Sequence, residues 1–180
     1  MDVNVILSER IGMNEIRAIL HQVKNDDRLK QDLYDLTIHN EGMAGYQAAW
    51  VLTHFTVREN QWLLLKQEEL IDTLLLCQHA GKKRLILTIL YKLPFELLRV
   101  DLLDFCLGHM VSGHELPGVK SLCMKIAYEL CRTVPELMQE LKSLLDIMEE
   151  EQTPALITTK KSIFNAIKKG KSLQKLTIPH

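Results

Sequence analysis

Seven histidines and four cysteines hold most of the reactive chemistry in this 180-residue chain. The histidines are His21, His39, His54, His79, His109, His114 and His180; the cysteines are Cys77, Cys106, Cys123 and Cys131. Cys106 and His109 are three apart and could share a helix face, whereas Cys77 and His79, two apart, could not. A metal site needs three or four converging ligands, and no further ligand has a matching spacing. No pair of cysteines forms Cys-x-x-Cys, and all four lie in apolar runs, as buried free thiols of a reducing compartment do. "EGMAG", Glu41 to Gly45, has two glycines but no strand before it and no Gly-Lys-Ser/Thr after it. It predicts a turn rather than a phosphate loop. No Ser/His/Asp or Cys/His set carries a local catalytic motif. The sequence therefore assigns no catalytic residue, no cofactor and no metal.

A second kind of chemistry is spread along the chain. In "GYQAAWVLTHF", Gly45 to Phe55, helical spacing puts Ala48, Ala49, Val51, Leu52 and Phe55 on one arc. Gln47, Trp50, His54 and Arg58 fall on the opposite side, where a surface helix normally keeps only polar groups. Three later stretches lie over this one. "AWVLTHFTVRE" starts at Ala49, "LTILYKLPFEL" at Leu87, "AYELCRTVPEL" at Ala127 and "IFNAIKKGKSL" at Ile163, at spacings of 38, 40 and 36 residues. Three positions on, each has an apolar residue: Leu52, Leu90, Leu130 and Ala166. The Gln47 position becomes Leu85, Lys125 and Lys161. The Trp50 position becomes Thr88, Tyr128 and Phe164, and the His54 position becomes Lys92, Arg132 and Lys168. So an aromatic recurs in three of the four stretches, and a cation or His in all four. Read as packing, the aromatics cover gaps between repeats and the cations are solvated. Read as a surface for binding, the rows suit an anionic or peptide partner through charge-assisted hydrogen bonds and cation–π contacts.

The elements that must carry these rows are helices. Apolar spacings of three and four dominate from Met13 onward. They predict helices over Met13–Lys24, Asp27–His39, Tyr46–Arg58, Leu63–His79, Lys83–Leu93, Leu97–Met110, Pro117–Thr133, Pro135–Glu150 and Pro154–Lys169. Three of these start at Pro and several stop at Gly or before Pro, the usual asymmetry of helix ends. "VNVIL" near the start reads as a short extended segment or a fraying helix, and "SLQKLTIPH" as a tail. Glu149, Glu150 and Glu151 form an acidic run at a helix end, opposing its dipole. Eight Gly and five Pro are few for a protein of many short strands. Short connections between about nine helices imply antiparallel neighbours.

A two-helix unit recurring near 38 residues is the pattern of an α-solenoid. On these stretches the chain resembles the HEAT-like and armadillo-type repeat proteins, over roughly Asp27 to Gly170. "GYQAAWVLTHF" is similar to the second helix of such a repeat. The regular Pro of the first helix and the Asp-Arg pair between helices are missing. The resemblance implies an all-α fold, a right-handed α-α superhelix of about four stacked antiparallel helix pairs. Residues 13–26 would form an N-terminal capping helix, 27–170 the repeats and 171–180 the tail of a single domain. It also implies that the second helices line a concave face. The aromatic and cation rows would then run along one groove, binding a protein or another anionic partner as a non-enzymatic scaffold.

Bulk composition limits the alternatives. The net charge of -1 is no polyanion binder's, but the distribution is uneven. Gln152 to His180 holds six Lys and no acid. That basic segment keeps nucleic-acid binding open, as in HEAT-like DNA repair proteins. An enzymatic alternative, a lyase, is disfavoured. The Ser-rich signature loop with Met-Pro-x-Lys-x-Asn that adenylosuccinate lyases resemble one another in is absent, and the chain is less than half their length. "MDVNVILSER" has no basic region followed by a long apolar core, which argues against a signal peptide. No window is apolar enough to span a membrane. A cytoplasmic, membrane-free protein is the expectation.

Overall fold

The computed structural model describes residues 2–148 and 153–176. The acidic run Glu149–Glu151 and residues 177–180, with His180, lie outside the described residues. Every regular element among the described residues is a helix: α1 (Val3–Ser8), α2 (Met13–Val23), α3 (Asp27–His39), α4 (Met43–Leu52), α5 (Val57–Leu64), α6 (Gln67–Leu76), α7 (Ala80–Tyr91), α8 (Val100–Met110), α9 (Pro117–Cys131), α10 (Pro135–Ile147) and α11 (Pro154–Lys169). The all-α repeat class read from the sequence is the class observed.

Local chemistry sets the helix ends. The Asp2 carboxylate accepts from the backbone N–H of Asn4 at 3.1 Å, and Asp26 caps α3 through Leu29 N at 2.9 Å. Glu15 reaches back to Gly12 N at 2.8 Å. Pro117, Pro135 and Pro154 stand in the first turns of α9, α10 and α11. Gly170 ends α11 in the left-handed conformation, at φ 61°, which costs glycine nothing.

Of the two readings of "VNVIL", the helix is the one observed, with Asp2 supplying its cap. Two expected helices differ from the sequence reading; the one expected over Leu63–His79 is split, its first residues ending α5 at Leu64 and later ones forming α6, Gln67–Leu76. The helix expected over Tyr46–Arg58 instead starts at Met43 and stops at Leu52, and α5 begins anew at Val57. Side chains compete for the backbone at the break. Thr53 Oγ1 donates to Trp50 O at 2.6 Å, and His54 Nδ1 lies 2.9 Å from the same carbonyl. Thr56 and Glu59 then form a capping box that starts α5, with Thr56 N donating to Glu59 at 3.0 Å. Arg58 therefore belongs to α5 and not to the Trp50 helix.

The helices form two compact units, residues 2–93 and 94–176. In the first unit α4 is the hub: it packs on α1, α2, α3 and α7, and α7 packs on α6. In the second, α9 is the hub, packed by α8, α10 and α11. The repeat register matches burial. Ala49, Leu87, Ala127 and Ile163 are fully buried, and Leu52, Leu90, Leu130 and Ala166 are buried three positions on. Ala48, Val51 and Phe55 are buried as the wheel requires. Close packing at the start of α4 demands glycine: a Cβ at Gly45 would sit 1.8 Å from the Asn40 carbonyl oxygen.

Candidate partner-binding surfaces

In the first unit the row residues are mostly committed to the fold. Gln47, expected on the outer side of α4, is buried. Its Oε1 accepts from Ile11 N at 2.8 Å, and its Nε2 donates to Leu7 O at 2.8 Å and Glu9 O at 2.5 Å. The reason is that α1 packs on α4, and the backbone that follows α1 needs partners there. Trp50 and His54 are half-buried, with ring centroids 6.3 Å apart, edge to face. The carbonyl of Trp50 can only accept, so His54 carries its proton on Nδ1 when it bonds there. Thr88 donates to Arg84 O at 2.8 Å, one turn back. Lys92, half-buried, donates its Nζ to Thr53 O. Burial pushes the Lys92 ammonium below its ordinary range.

The second unit divides the rows differently. Tyr128 on α9 is 1 % exposed, and its hydroxyl donates to Lys171 O at 2.5 Å. Burial raises its pKa, with Arg132 pulling the other way. Arg132 is exposed and reaches Glu129 Oε2 at 3.3 Å. Lys125 is half-buried. On α11, Lys161 and Lys168 are exposed and seven residues apart, on one helix face. Phe164 lies half-buried between them, with Lys160 Nζ 6.0 Å from its ring centroid. Lys169, Lys171 and Lys175 continue the exposed basic surface.

Several polar side chains were invisible to periodicity. Lys82 on α7 is fully buried, donating to Asn40 O at 3.0 Å and lying 3.5 Å from Glu41. Tyr34 on α3 donates to Glu69 on α6 at 2.6 Å. Burial and that carboxylate push its hydroxyl far above the usual range. Lys66 lies 4.7 Å from the Tyr34 ring centroid and 4.9 Å from that of Trp62, so a cation–aromatic cluster ties α3 to the α5–α6 corner. Glu129 on α9 is buried beneath the segment that follows α11. Each of these groups meets a partner far away in sequence, so no local spacing could have marked it.

Nucleophile chemistry is weak. All four cysteines are free and buried. Burial, with Cys123 and Cys131 nearby, raises the Cys106 thiol well above its usual range. Cys131 is pushed up to about 11 by burial and Glu140. The Cys106 and Cys131 thiols are therefore not thiolates at neutral pH. Among the described residues no three His, Cys, Asp or Glu are grouped to hold a metal ion. No described helix is long and apolar enough to cross a membrane.

The model of the HEAT repeat domain family matches residues 3–167. No curated protein and no solved structure matches the chain.

Proposed function

The chain belongs to the HEAT repeat family, and from that premise we propose that it is a non-enzymatic interaction scaffold. HEAT repeats serve generally as protein-interaction scaffolds. The partner we propose is an acidic protein surface, bound at the second-helix row positions of the second unit. The observation that carries this reading is the face of α11. Lys161 and Lys168 stand exposed around the half-buried Phe164, in a segment, Gln152 to His180, with six Lys and no acid. Exposed ammonium groups beside an aromatic ring favour carboxylates through direct ion pairs and long-range steering.

The remaining row positions contribute in proportion to their exposure. In the second unit Arg132 and Lys125 add cations; in the first, taken by itself, Trp50, His54 and Thr88 offer half-buried edges. Lys92 and Tyr128 act through the fold, since each spends its polar group on a backbone carbonyl.

The test is affinity capture of partners with the full chain as bait, repeated with Lys161→Glu/Lys168→Glu. We expect the double variant to fold normally and to bind the captured acidic partner about tenfold more weakly at physiological salt. Unchanged affinity would remove α11 from the interface. Duplex DNA is the control ligand: if it binds with a steep salt dependence and the acidic partner does not, the nucleic-acid reading replaces this one.

A further inference from the structure

Glu129 stands on α9, two residues before the helix ends, and its side chain is 3 % exposed. Ser172 Oγ donates to both carboxylate oxygens at 2.9 Å. Leu173 N donates to Oε1 at 2.7 Å and Gln174 N at 3.3 Å. Arg132 reaches Oε2 at 3.3 Å. Beside it, the Tyr128 hydroxyl donates to Lys171 O at 2.5 Å. Two adjacent residues thus read both polarities of a short peptide backbone: Tyr128 gives to a carbonyl and Glu129 takes from two N–H groups. Among the strap's side chains, that of Ser172 donates to the carboxylate. Gly170, with its positive φ, ends α11 just ahead of this strap.

An open cleft of about 330 Å³ adjoins the strap. Leu97, Leu98 and Leu130 line it, together with Arg132 and the strap's own Gln174 and Leu176. Leu97 is 79 % exposed and Leu98 40 %. The recognition elements on the body of the second unit are therefore a buried carboxylate, a phenol and a cleft wall of mixed chemistry, where Leu97, Leu98 and Leu130 stand beside Glu96 and Arg132. Tyr128 meets a backbone carbonyl and Glu129 meets backbone N–H groups, contacts any extended peptide can make, whereas Ser172, Gln174 and Leu176 are the strap's own additions.

We infer that the C-terminal end of α9 is a peptide-docking site that the chain's own Lys171–Gln174 segment occupies in cis. The occupant it fits is an extended, neutral or basic segment. It carries a Ser or Thr for Glu129 and an apolar residue four positions later for the cleft. Such a segment enters by displacing the strap. The inference rests on the scaffold reading but gives this end a different chemistry. Lys161 and Lys168 seek carboxylates, whereas Glu129 is a carboxylate that seeks donors. A tethered strap competes at an effective concentration on the order of millimolar, so docking in trans is weak until the strap is released.

The test uses the full chain and a synthetic end-blocked peptide of the sequence Gly170–Leu176. Leu173→Pro removes one strap donor to Glu129 and leaves α9 untouched. We expect amide exchange to show Gln174 deprotected in this variant. It should bind the peptide about tenfold more tightly than the parent chain. Adding Glu129→Gln should abolish that binding, and Tyr128→Phe should weaken it less. Circular dichroism and exchange rates in α8 and α9 report that each variant is folded. Two results would overturn the proposal: a released strap with no peptide binding, or binding that survives Glu129→Gln. Neither depends on an acidic partner, so Lys161 and Lys168 can fail their own test without affecting this one.

Discussion

The hub helices of the two units, α4 and α9, stand in the same repeat register and meet their surroundings differently. Around α4 the chain has used its polar groups as stitches. Gln47 satisfies three backbone groups near α1, Lys82 satisfies the carbonyl of Asn40, and Lys92 satisfies that of Thr53. In the second unit the register positions of Gln47 and Lys92 recur on α11 as Lys161 and Lys168, both exposed. The Trp50 position recurs on α9 as Tyr128, buried beneath the strap. A position in the repeat fixes which way a side chain points from its helix. Whether it becomes a stitch or a contact depends on what later covers it.

The sharpest way to break this comparison is through glycine. Gly45 approaches Asn40 so closely that an added methyl group must displace backbone. Gly45→Ala should cost about 3 kcal/mol or more, at the upper end of overpacking. Gly108, inside α8, has nothing within 4 Å of its missing Cβ. Gly108→Ala should therefore stabilise the second unit by about 0.5–1 kcal/mol. Urea unfolding of both variants checks the pair. Equal effects would mean that the start of α4 yields as readily as an open helix face.

The next contrast uses one register position in two settings. Gln47→Leu keeps the volume but leaves Ile11 N, Leu7 O and Glu9 O without their partner. Its cost should be about 2–3 kcal/mol, from buried polar groups left unsatisfied. Lys161→Leu, at the equivalent exposed position, should change stability by less than about 0.5 kcal/mol. A small effect at Gln47 would mean that water replaces the side chain and that the first unit is less closed than its hydrogen bonds describe.

How much of this was legible in the sequence follows from distance along the chain. Helices whose ends carry their own signals were placed well: α3 and α11 have the expected bounds, set by Asp26 at one start and by Pro154 and Gly170 at the ends of the other. The break after Leu52 was also written locally, as Thr56-Val-Arg-Glu59, but the apolar period ran on through it and masked the capping box. Gln47 could not be placed, because the backbone that covers it lies 36 to 40 residues earlier. The strap on Glu129 was hidden for the same reason, its donors lying 43 to 45 residues away. Of the aromatic and cation rows, the spacing was legible and the cover was not. That is why Tyr128 and Lys161, both read as outward positions, end on opposite sides of a surface.

The smallest effect separates the two buried tyrosines by pH. Tyr34 is held far above the ordinary tyrosine range by burial and by the Glu69 carboxylate that accepts its hydrogen bond. Tyr128 is raised by burial, but Arg132 opposes the shift. A hydroxyl with a raised folded-state pKa stabilises the fold fully below the unfolded value, near 10. It loses that contribution as pH climbs above it, because the unfolded chain then releases the proton first. Stability should therefore fall above pH ~10, and Tyr34→Phe should flatten that fall more than Tyr128→Phe does. Urea midpoints of the three proteins at neutral and alkaline pH measure the difference. If Tyr128→Phe flattened the curve as much, Arg132 would not be screening the phenol, and the second unit would be as closed at α9 as the first is at α3.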